Sequence, residues 1–285
     1  MMKTVTLPDG SRIPALGLGT WRMGERTGNR RAEVDAVRTA VMLGYRLIDT
    51  AEMYGNGSAE EIVGEALRGV ITTGELRREQ ITVVSKVLPQ NASRSGTVSA
   101  CERSLRRLGL DFLDVYLLHW RGQHPLEETL EGLEALRTVG KIKRWGVSNF
   151  DADHLDELFA IDSGAFCAVN QVYYSVSRRG IEFDLLPVQR KLKMPVMAYC
   201  PIDEGHLARN AELAAIGKRH GATAAQVALG WLLRDPAVIV IPKAVKQEHL
   251  RENFGAASLA LSADDLAAVD RAFPPPKRKT ALSIV

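Results

Sequence analysis

The stretch from Gly44 to Leu67, GYRLIDTAEMYGNGSAEEIVGEAL, contains the unit from which this chain is built. Its apolar run RLID ends on Asp49, and a polar loop separates that run from a helical pattern over residues 59–67. Ser58 stands where it can cap this helix. A strand followed by a helix is the repeating unit of parallel α/β folds, so the stretch predicts a parallel sheet covered by helices.

Apolar runs of this kind recur eight times, and each stops on a polar or ionisable residue. In chain order the last residues of the runs are Thr20, Asp49, Lys86, His119, Asn149, Gln171, Tyr199 and Lys243. The seven steps from residue 20 to residue 243 average about 32 residues, which suits one strand, one helix and two loops. Eight such units close a parallel sheet into a barrel with its chemistry at the carboxyl ends of the strands. We therefore predict a (β/α)8 TIM barrel in a single domain that spans residues 1–285.

Two additions to the barrel are predicted. Residues 4–15 read as a β-hairpin that turns at the sequence PDG and plugs the bottom of the barrel. An extra C-terminal helix over residues 262–273 begins with a capping box at Ser262, and the tail PPPKRK after it is expected to be extended and to end the packing. Asp151 is expected to cap a further helix. The other helices are predicted over residues 31–43, 95–108, 127–139, 151–159, 185–191, 210–220, 223–233 and 247–254.

The composition is that of an ordinary globular protein, with 46% hydrophobic and 25% charged residues. The 37 basic and 34 acidic residues leave a net charge of only +3, so no nucleic-acid partner is expected. No apolar run approaches the length of about 18 residues that a membrane span needs, and no membrane association is expected.

The three cysteines, Cys101, Cys167 and Cys200, form no C-x-x-C motif. Because no signal peptide is recognisable at the N-terminus, this cysteine usage predicts a reducing, cytoplasmic location. No metal site is expected, because no His-x-His follows the first strand and His119 and His124 have no carboxylate cluster beside them.

Three neighbouring strand ends carry a carboxylate, an ammonium and an imidazole, at Asp49, Lys86 and His119. Tyr54 follows five residues after Asp49 and is within reach if its loop folds over the barrel mouth. A phenol has an ordinary pKa of about 10, and we predict that the adjacent ammonium lowers it while the carboxylate keeps the lysine charged. Such a phenol can protonate a carbonyl oxygen that the histidine orients. Each residue alone has a structural explanation, but together they predict a proton-donating site.

The chain resembles the aldo-keto reductase family in the order and spacing of its motifs. The resemblance is carried by the opening stretch and by VSKV, LLHW, GVSNF, NQV and VIPKA, and it covers nearly the whole chain. It is closest to the short bacterial members that reduce methylglyoxal and related small aldehydes. The resemblance implies that Asp49, Tyr54, Lys86 and His119 form the catalytic tetrad, with Tyr54 as the general acid. The implied reaction is hydride transfer from a reduced nicotinamide to an aldehyde or ketone.

The resemblance implies NADPH as the cofactor, with NADH as the alternative. Ser148, Asn149 and Gln171 match the residues that hold the nicotinamide carboxamide, and Tyr199 matches the ring that stacks on the nicotinamide. Near the ribose of the nicotinamide half the matching residues are Thr20, Trp21 and Asp49. The chain contains no G-x-G-x-x-G motif, so a Rossmann loop is not expected to hold the cofactor.

The segment IPKAVKQEHLREN resembles the family's adenosine-phosphate segment. The implied cofactor contacts are Lys243, Ala244, Val245, Lys246, His249, Glu252 and Asn253. Lys243 matches the phosphate-binding lysine, and a cationic pocket is the physical reason to expect NADPH. This chain departs from the family's usual hydroxyl at Ala244 and from its usual adenine-stacking arginine at His249. Charge from Lys246 or Arg251 is the alternative source of phosphate binding.

The substrate pocket implied by the resemblance is walled by Trp21, Met53 and Trp120. An aromatic-walled pocket with few charges suits small or aromatic carbonyl compounds. The loop after Trp120 is short and the chain ends soon after Phe273, so we expect an open pocket with broad specificity. We also expect a monomer.

Two other functions remain open at this point. A class I aldolase is also a barrel, and its strand-end lysine forms a Schiff base, which would be the role of Lys86. The other function is non-catalytic, because some relatives of the family act as nucleotide-sensing subunits. Such a protein would bind the nucleotide without turning over any aldehyde.

Overall fold

A two-stranded antiparallel hairpin precedes the barrel in the computed structural model, which describes residues 3–284. Its strands are β1 (Thr4–Thr6) and β2 (Arg12–Pro14). Gly10 turns the chain with a φ of 82°, a left-handed conformation that glycine adopts without strain. Asp9 pairs with Arg144 near the beginning of a barrel strand, with 2.5 Å between Oδ2 and Nε. The predicted hairpin is confirmed, and it lies at the amino-terminal end of the barrel.

Eight parallel strands form one sheet that curls into a barrel. They are β3 (Leu18–Gly19), β4 (Leu47–Asp49), β5 (Thr82–Val87), β6 (Leu113–Leu118), β7 (Ile142–Ser148), β8 (Asn170–Tyr173), β9 (Val196–Tyr199) and β10 (Val238–Val240). Each strand pairs with the next one along the chain. The two outer strands meet through parallel bridges between Leu16 and Val240 and between Gly19 and Lys243. The predicted (β/α)8 barrel is confirmed.

The strands are continuous apolar runs because both faces of the sheet are covered. All six residues of β6 are buried, as are five of the six in β5. A strand of a parallel barrel faces interior side chains on one side and helices on the other, so apolar residues need not alternate with polar ones. The predicted strand ends agree with the structure to within two residues, except that β10 ends three residues before Lys243.

Ten α-helices cover the barrel within residues 3–284. They are α1 (Arg30–Leu43), α2 (Ser58–Thr72), α3 (Arg94–Leu108), α4 (Leu126–Thr138), α5 (Ala152–Phe159), α6 (Leu185–Lys191), α7 (Ala211–Arg219), α8 (Ala224–Leu233), α9 (Gln247–Gly255) and α10 (Ala263–Ala272). All predicted boundaries except those of α2 agree within one residue, and Asp151 and Ser262 cap α5 and α10 as predicted. In this described part of the chain, no helix has the length and apolar character needed to cross a membrane.

Helix α2 differs from the prediction at both ends. It continues five residues beyond Leu67, and Ser58 is its first residue rather than its cap. Gly57 occupies the cap position with a φ of 92°, and no side-chain hydrogen bond caps the helix. The prediction that Ser58 is the cap is therefore wrong, because residues 55–57 form a left-handed turn that leads directly into the helix.

The tail after α10 does not end the packing as predicted. Lys279 forms ion pairs with Asp184 at 2.9 Å and with Asp151 at 3.2 Å, and these aspartates cap α6 and α5. Leu282 is partly buried against the core. The tail therefore lies against the loops that follow β7 and β8, at the carboxyl end of the barrel.

Candidate active site

Asp49 and Lys86, predicted from neighbouring strand ends, form a buried ion pair. The Lys86 ammonium donates to both carboxylate oxygens, at 2.9 and 2.8 Å, and to the backbone carbonyl of Thr50 at 2.9 Å. Lys86 is 0% exposed and Asp49 2%. Burial raises the pKa of Asp49 and lowers that of Lys86, and the attraction between the two opposes both shifts.

Tyr54 lies beside this pair. The Lys86 ammonium also donates to the Tyr54 hydroxyl oxygen, with 3.2 Å between Nζ and OH. After Tyr54 the chain turns sharply, because Gly55, Asn56 and Gly57 all adopt left-handed conformations with φ of 54°, 53° and 92°. This turn returns the chain to α2 and leaves the phenol at the barrel mouth, as the sequence predicted.

The pKa of Tyr54 lies well above its ordinary value, chiefly because of burial and secondly because of the charge of Asp49. We predicted from the sequence that Lys86 lowers this pKa, and the predicted direction is wrong. Asp49 neutralises the ammonium, and removal of the phenol from water outweighs what remains of its attraction. The phenol therefore keeps its proton at neutral pH, which is the state that a proton donor requires.

His119 completes the predicted cluster. Its ring centroid lies 5.9 Å from that of Tyr54 in an edge-to-face arrangement and 4.9 Å from that of Trp120. Burial, and after it the charge of Lys86, lowers the pKa of His119 well below its ordinary value, so the imidazole is neutral. Its Nδ1 has no hydrogen-bond partner within residues 3–284. A neutral imidazole beside the phenol can hydrogen-bond a carbonyl oxygen.

The ends of β7, β8 and β9 bring four predicted cofactor residues together. The Asn149 side-chain amide donates to the Ser148 hydroxyl at 3.2 Å, and the Tyr199 hydroxyl donates to the side-chain oxygen Oδ1 of Asn149 at 2.9 Å. The Gln171 amide donates to the Asp49 carboxylate at 2.7 Å, which joins this group to the tetrad. The arrangement presents amide and hydroxyl groups next to a half-buried aromatic ring.

Residues predicted near the ribose and the phosphate lie on the other side of the mouth, where the barrel closes. The Thr20 hydroxyl donates to the backbone carbonyl of Asp49 at 3.0 Å, and Trp21 is half-buried. The Lys243 side chain is exposed and forms no hydrogen bond or ion pair with residues 3–284. Desolvation nevertheless lowers the pKa of Lys243, and Glu33 and Glu25 oppose this shift.

The other adenosine-phosphate candidates lie between β10 and the first two turns of α9. Ala244 and Asn253 are buried, Val245 and Glu252 are partly buried, and Lys246 and His249 are exposed. Helix α9 begins directly after Lys246, and no side chain caps its first backbone N–H groups. The end of a helix with free N–H groups favours a phosphate or another anion.

The predicted pocket residues form the rim of this site. Met53 is 46% exposed, and Trp21 and Trp120 are half-buried. The loop after Trp120 is short as expected, since α4 begins at Leu126. Arg121 holds this loop in place. Its guanidinium donates to the carbonyls of residues 122 and 124 and pairs with a glutamate of α5.

Cys200, which follows Tyr199, is a half-buried free thiol. Burial, followed by the charges of Glu204 and Asp203, raises the pKa of its thiol to about 12. All three cysteines are free. In the described range 3–284, no group of three or more His, Cys, Asp or Glu residues is arranged to hold a metal ion.

Sequence reasoning missed three residues at the mouth. The Glu52 carboxylate, only 8% exposed, accepts hydrogen bonds from the loop after β5. Arg22 and Glu204 form an ion pair at 3.7 Å between the loops after β3 and β9. A charged residue inside the stretch IDTAEMYG was a signal for Glu52. No local signal marks the other two, because 181 residues of chain separate them.

A parallel barrel with a polar cluster at the carboxyl ends of its strands defines an enzyme of the TIM-barrel class. Residues 15–273 match the model of the aldo/keto reductase family. Methylglyoxal reductase YeaE of Escherichia coli (strain K12) is 47% identical over 278 residues, covering 96% of this chain and 95% of that protein. Glyoxal reductase of Bacillus subtilis (strain 168) is 36% identical over 94% of this chain and 91% of its own length.

Solved structures show the same likeness. An aldo-keto reductase from Klebsiella pneumoniae, solved in complex with NADPH, is 46% identical and covers 100% of both chains with a TM-score of 0.94. The chain therefore belongs to the aldo-keto reductase family.

Proposed function

We propose that this protein reduces small or aromatic aldehydes and ketones, such as methylglyoxal, to alcohols with NADPH, and that Tyr54 is the general acid. The observation that carries the proposal is the Tyr54 hydroxyl 3.2 Å from the buried Lys86 ammonium, where burial raises the pKa of the phenol. The names of the relatives support the substrate class, since one is a methylglyoxal reductase and another a glyoxal reductase. The NADPH in the related Klebsiella pneumoniae structure supports the cofactor.

The residues at the barrel mouth fit a nicotinamide nucleotide. Ser148, Asn149 and Gln171 offer the amides and hydroxyl that would hold the carboxamide, and Tyr199 offers a ring for stacking. Lys243 is a cation with no partner in the described chain, as a phosphate-binding residue should be. When bound, the reduced nicotinamide supplies the hydride that the carbonyl carbon accepts.

The tetrad performs the proton transfer. Tyr54 holds its proton until negative charge develops on the substrate oxygen and then donates it. The Lys86 ammonium, already hydrogen-bonded to the phenol oxygen, stabilises the phenolate that forms, and Asp49 keeps the ammonium in place. The neutral His119 orients the oxygen by a hydrogen bond.

The aldolase alternative finds less support. A Schiff-base lysine must present a neutral amine to a carbonyl carbon. The Lys86 nitrogen is fully buried and surrounded by Asp49, the Thr50 carbonyl and the Tyr54 hydroxyl. With these contacts, the nitrogen has no free side from which it could attack the carbonyl carbon of a ketose.

Tyr54→Phe tests the proposal. We expect kcat for NADPH oxidation with methylglyoxal to fall by about 10²–10⁴-fold, the usual contribution of a general acid. NADPH binding, followed by fluorescence, should survive because no predicted cofactor contact is removed. Tyr174→Phe is the matched control, since that phenol is also hydrogen-bonded but to Glu182.

Unchanged turnover in Tyr54→Phe would contradict the assignment of the general acid. If the unaltered protein bound NADPH but reduced no aldehyde or ketone, the nucleotide-sensing function would be favoured over the reductase.

A further inference from the structure

We propose that Glu52 is a positioning residue, which ties the loop carrying Tyr54 to the strand carrying Lys86 and so sets the distance between phenol and ammonium. The proposal rests on the proposed reductase function, in which these two groups donate the proton and stabilise the phenolate. The loop in question, here the Tyr54 loop, comprises residues 50–57 between β4 and α2.

The Tyr54 loop separates from β5 soon after β4 ends. Its Thr50 N–H donates to the Val84 carbonyl at 2.9 Å, but the next backbone bond, from the Glu52 N–H to the Lys86 carbonyl, is 3.5 Å long. Residues 55–57 are then all left-handed, and one of them is an asparagine. The two glycines adopt this conformation without strain and asparagine tolerates it, so the turn itself does not fix where the loop lies relative to β5. Side-chain contacts between the two segments can set that distance.

The Glu52 side chain supplies such a contact. Its Oε1 accepts hydrogen bonds from the Leu88 N–H at 2.8 Å and from the Asn91 amide at 3.0 Å. The Arg103 guanidinium lies 3.7 Å from Oε2. Leu88 directly follows β5, and it stands two residues after Lys86, while Glu52 stands two residues before Tyr54. One buried carboxylate thus joins the two segments that carry the phenol and the ammonium.

The chemistry of this contact decides which substitutions break it. Both donors approach the same oxygen, Oε1, so an acceptor is needed there and a negative charge is not. Glutamine keeps that acceptor in a side chain of the same length, whereas alanine removes it. A purely electrostatic role of Glu52 would make both substitutions equally harmful.

The test compares Glu52→Ala with Glu52→Gln, and Glu61→Ala, an exposed glutamate of α2, is the control. In Glu52→Ala we expect kcat per NADPH-binding site to fall about 10–100-fold, since a displacement near 1 Å can have such an effect. The KM for NADPH should stay within about twofold because the candidate cofactor contacts other than Asp49 lie on other strands, and Asp49 keeps its own bonds to Lys86 and Gln171. Glu52→Gln should retain kcat within about threefold.

The pH profile separates positioning from a general loss of stability. Burial raises the pKa of Tyr54, and a loosened loop admits water to the phenol. The alkaline limb of kcat/KM in Glu52→Ala should therefore move to lower pH, whereas partial unfolding would lower the amplitude without moving the limb. In Glu52→Gln the limb should stay in place.

Hydrogen exchange provides a readout that needs no turnover. Peptides covering residues 50–57 and 86–91 should exchange faster in Glu52→Ala and not in Glu52→Gln. A protein without reductase activity would refute the proposed function, yet hydrogen exchange would still test whether Glu52 holds the Tyr54 loop against the segment after β5.

Wild-type kcat and exchange in Glu52→Ala, or equal losses in both variants, would overturn the proposal. If Glu52→Ala does not fold, Asn91→Ala removes one of the two donors, and unchanged kcat and exchange there would overturn it as well.

Discussion

At Lys86 the protein buries an ammonium group completely and surrounds it with four oxygen atoms. Two belong to Asp49, one to the Thr50 carbonyl and one to the Tyr54 hydroxyl. Taking an ion from water costs several kcal/mol even in a relaxed protein interior, so such a charge persists only with partners of this quality. The proposed catalytic tetrad is therefore also a stability element, and its contribution to stability can be tested separately from its proposed role in catalysis.

Lys86→Met should destabilise the protein by about 3–5 kcal/mol, because it leaves the Asp49 carboxylate buried without its partner. It should also abolish turnover. In the double variant Asp49→Asn/Lys86→Met, we expect much of the stability to return while turnover stays lost. Urea unfolding and NADPH oxidation measure the two effects. A double variant as unstable as Lys86→Met would show that the unpaired carboxylate is not the cause.

Lys243→Ala should raise the KM for NADPH by about 10–100-fold, the value of a lost charge-assisted hydrogen bond to phosphate. The KM for NADH should change little because NADH lacks the 2′-phosphate. Lys218→Ala, an exposed lysine of α7, serves as the control. Equal effects of Lys243→Ala on both cofactors would place the phosphate elsewhere, with Lys246 and Arg251 as the next candidates.

The positions of the tetrad could be predicted from the sequence, but their electrostatics could not. Asp49, Lys86 and His119 end neighbouring apolar runs, and a barrel necessarily brings neighbouring strand ends together. The pKa of Tyr54 depends on how deeply the phenol is buried and on how completely Asp49 neutralises the lysine. Both are properties of three-dimensional packing, which spacing along the chain does not encode.

At the scale of elements, prediction succeeded where a local pattern decides the structure. Parallel strands covered on both faces appear as apolar runs, and the caps at Asp151 and Ser262 act on their own helices. The prediction that Ser58 caps α2 was wrong because contact with a distant segment, and not a local pattern, decides the structure there. The left-handed turn before α2 fits against the segment after β3, where a side chain at Gly55 would come within 2.9 Å of Gly24 and the Met23 carbonyl.

Helix α10 depends on a carboxylate with several partners. Asp265 is nearly buried, accepts from the Ser262 N–H and hydroxyl at 2.8 Å, and pairs with Arg219 and His220 of the α7 end. Burial alone would raise its pKa, but these hydrogen bonds hold the pKa of Asp265 well below its ordinary value. The Asp265 carboxylate therefore stabilises both the first turn of α10 and the contact between α10 and the end of α7.

Ser262→Ala should lower the free energy of unfolding at neutral pH by about 1 kcal/mol, the usual value of a helix cap. Asp265→Asn should lower it by more. Because the pKa in the folded state is lowered, this stabilisation is complete above the unfolded value of about 3.9 and is lost as the pH falls below it. The difference between Asp265→Asn and the unaltered protein should accordingly shrink in acid. Urea midpoints over a pH series measure it, with the exposed Asp264→Asn as the control. A constant difference down to the lowest pH would contradict the assignment.

At the scale of the whole molecule, the barrel closes between the first and the last of its strands. The bridge between Leu16 and Val240 joins residues 224 positions apart, and the tail contact of Lys279 with Asp151 spans 128. The closure could be predicted because eight units imply a closed barrel. The tail contact could not, since exposed charges on distant segments carry no periodic signal.

The hairpin and the tail lie at opposite ends of the barrel, and this gives the molecule two separate places for a spectroscopic reporter. A fluorophore at Gly10 would sit far from the polar cluster and would register global unfolding alone. A fluorophore at Ala281 would sit beside Tyr173, whose ring centroid is 5.4 Å from that of Tyr199, and would register events on the side of the mouth where we propose that the nicotinamide binds. Labels at the two positions can thus distinguish ligand binding from denaturation in a single titration.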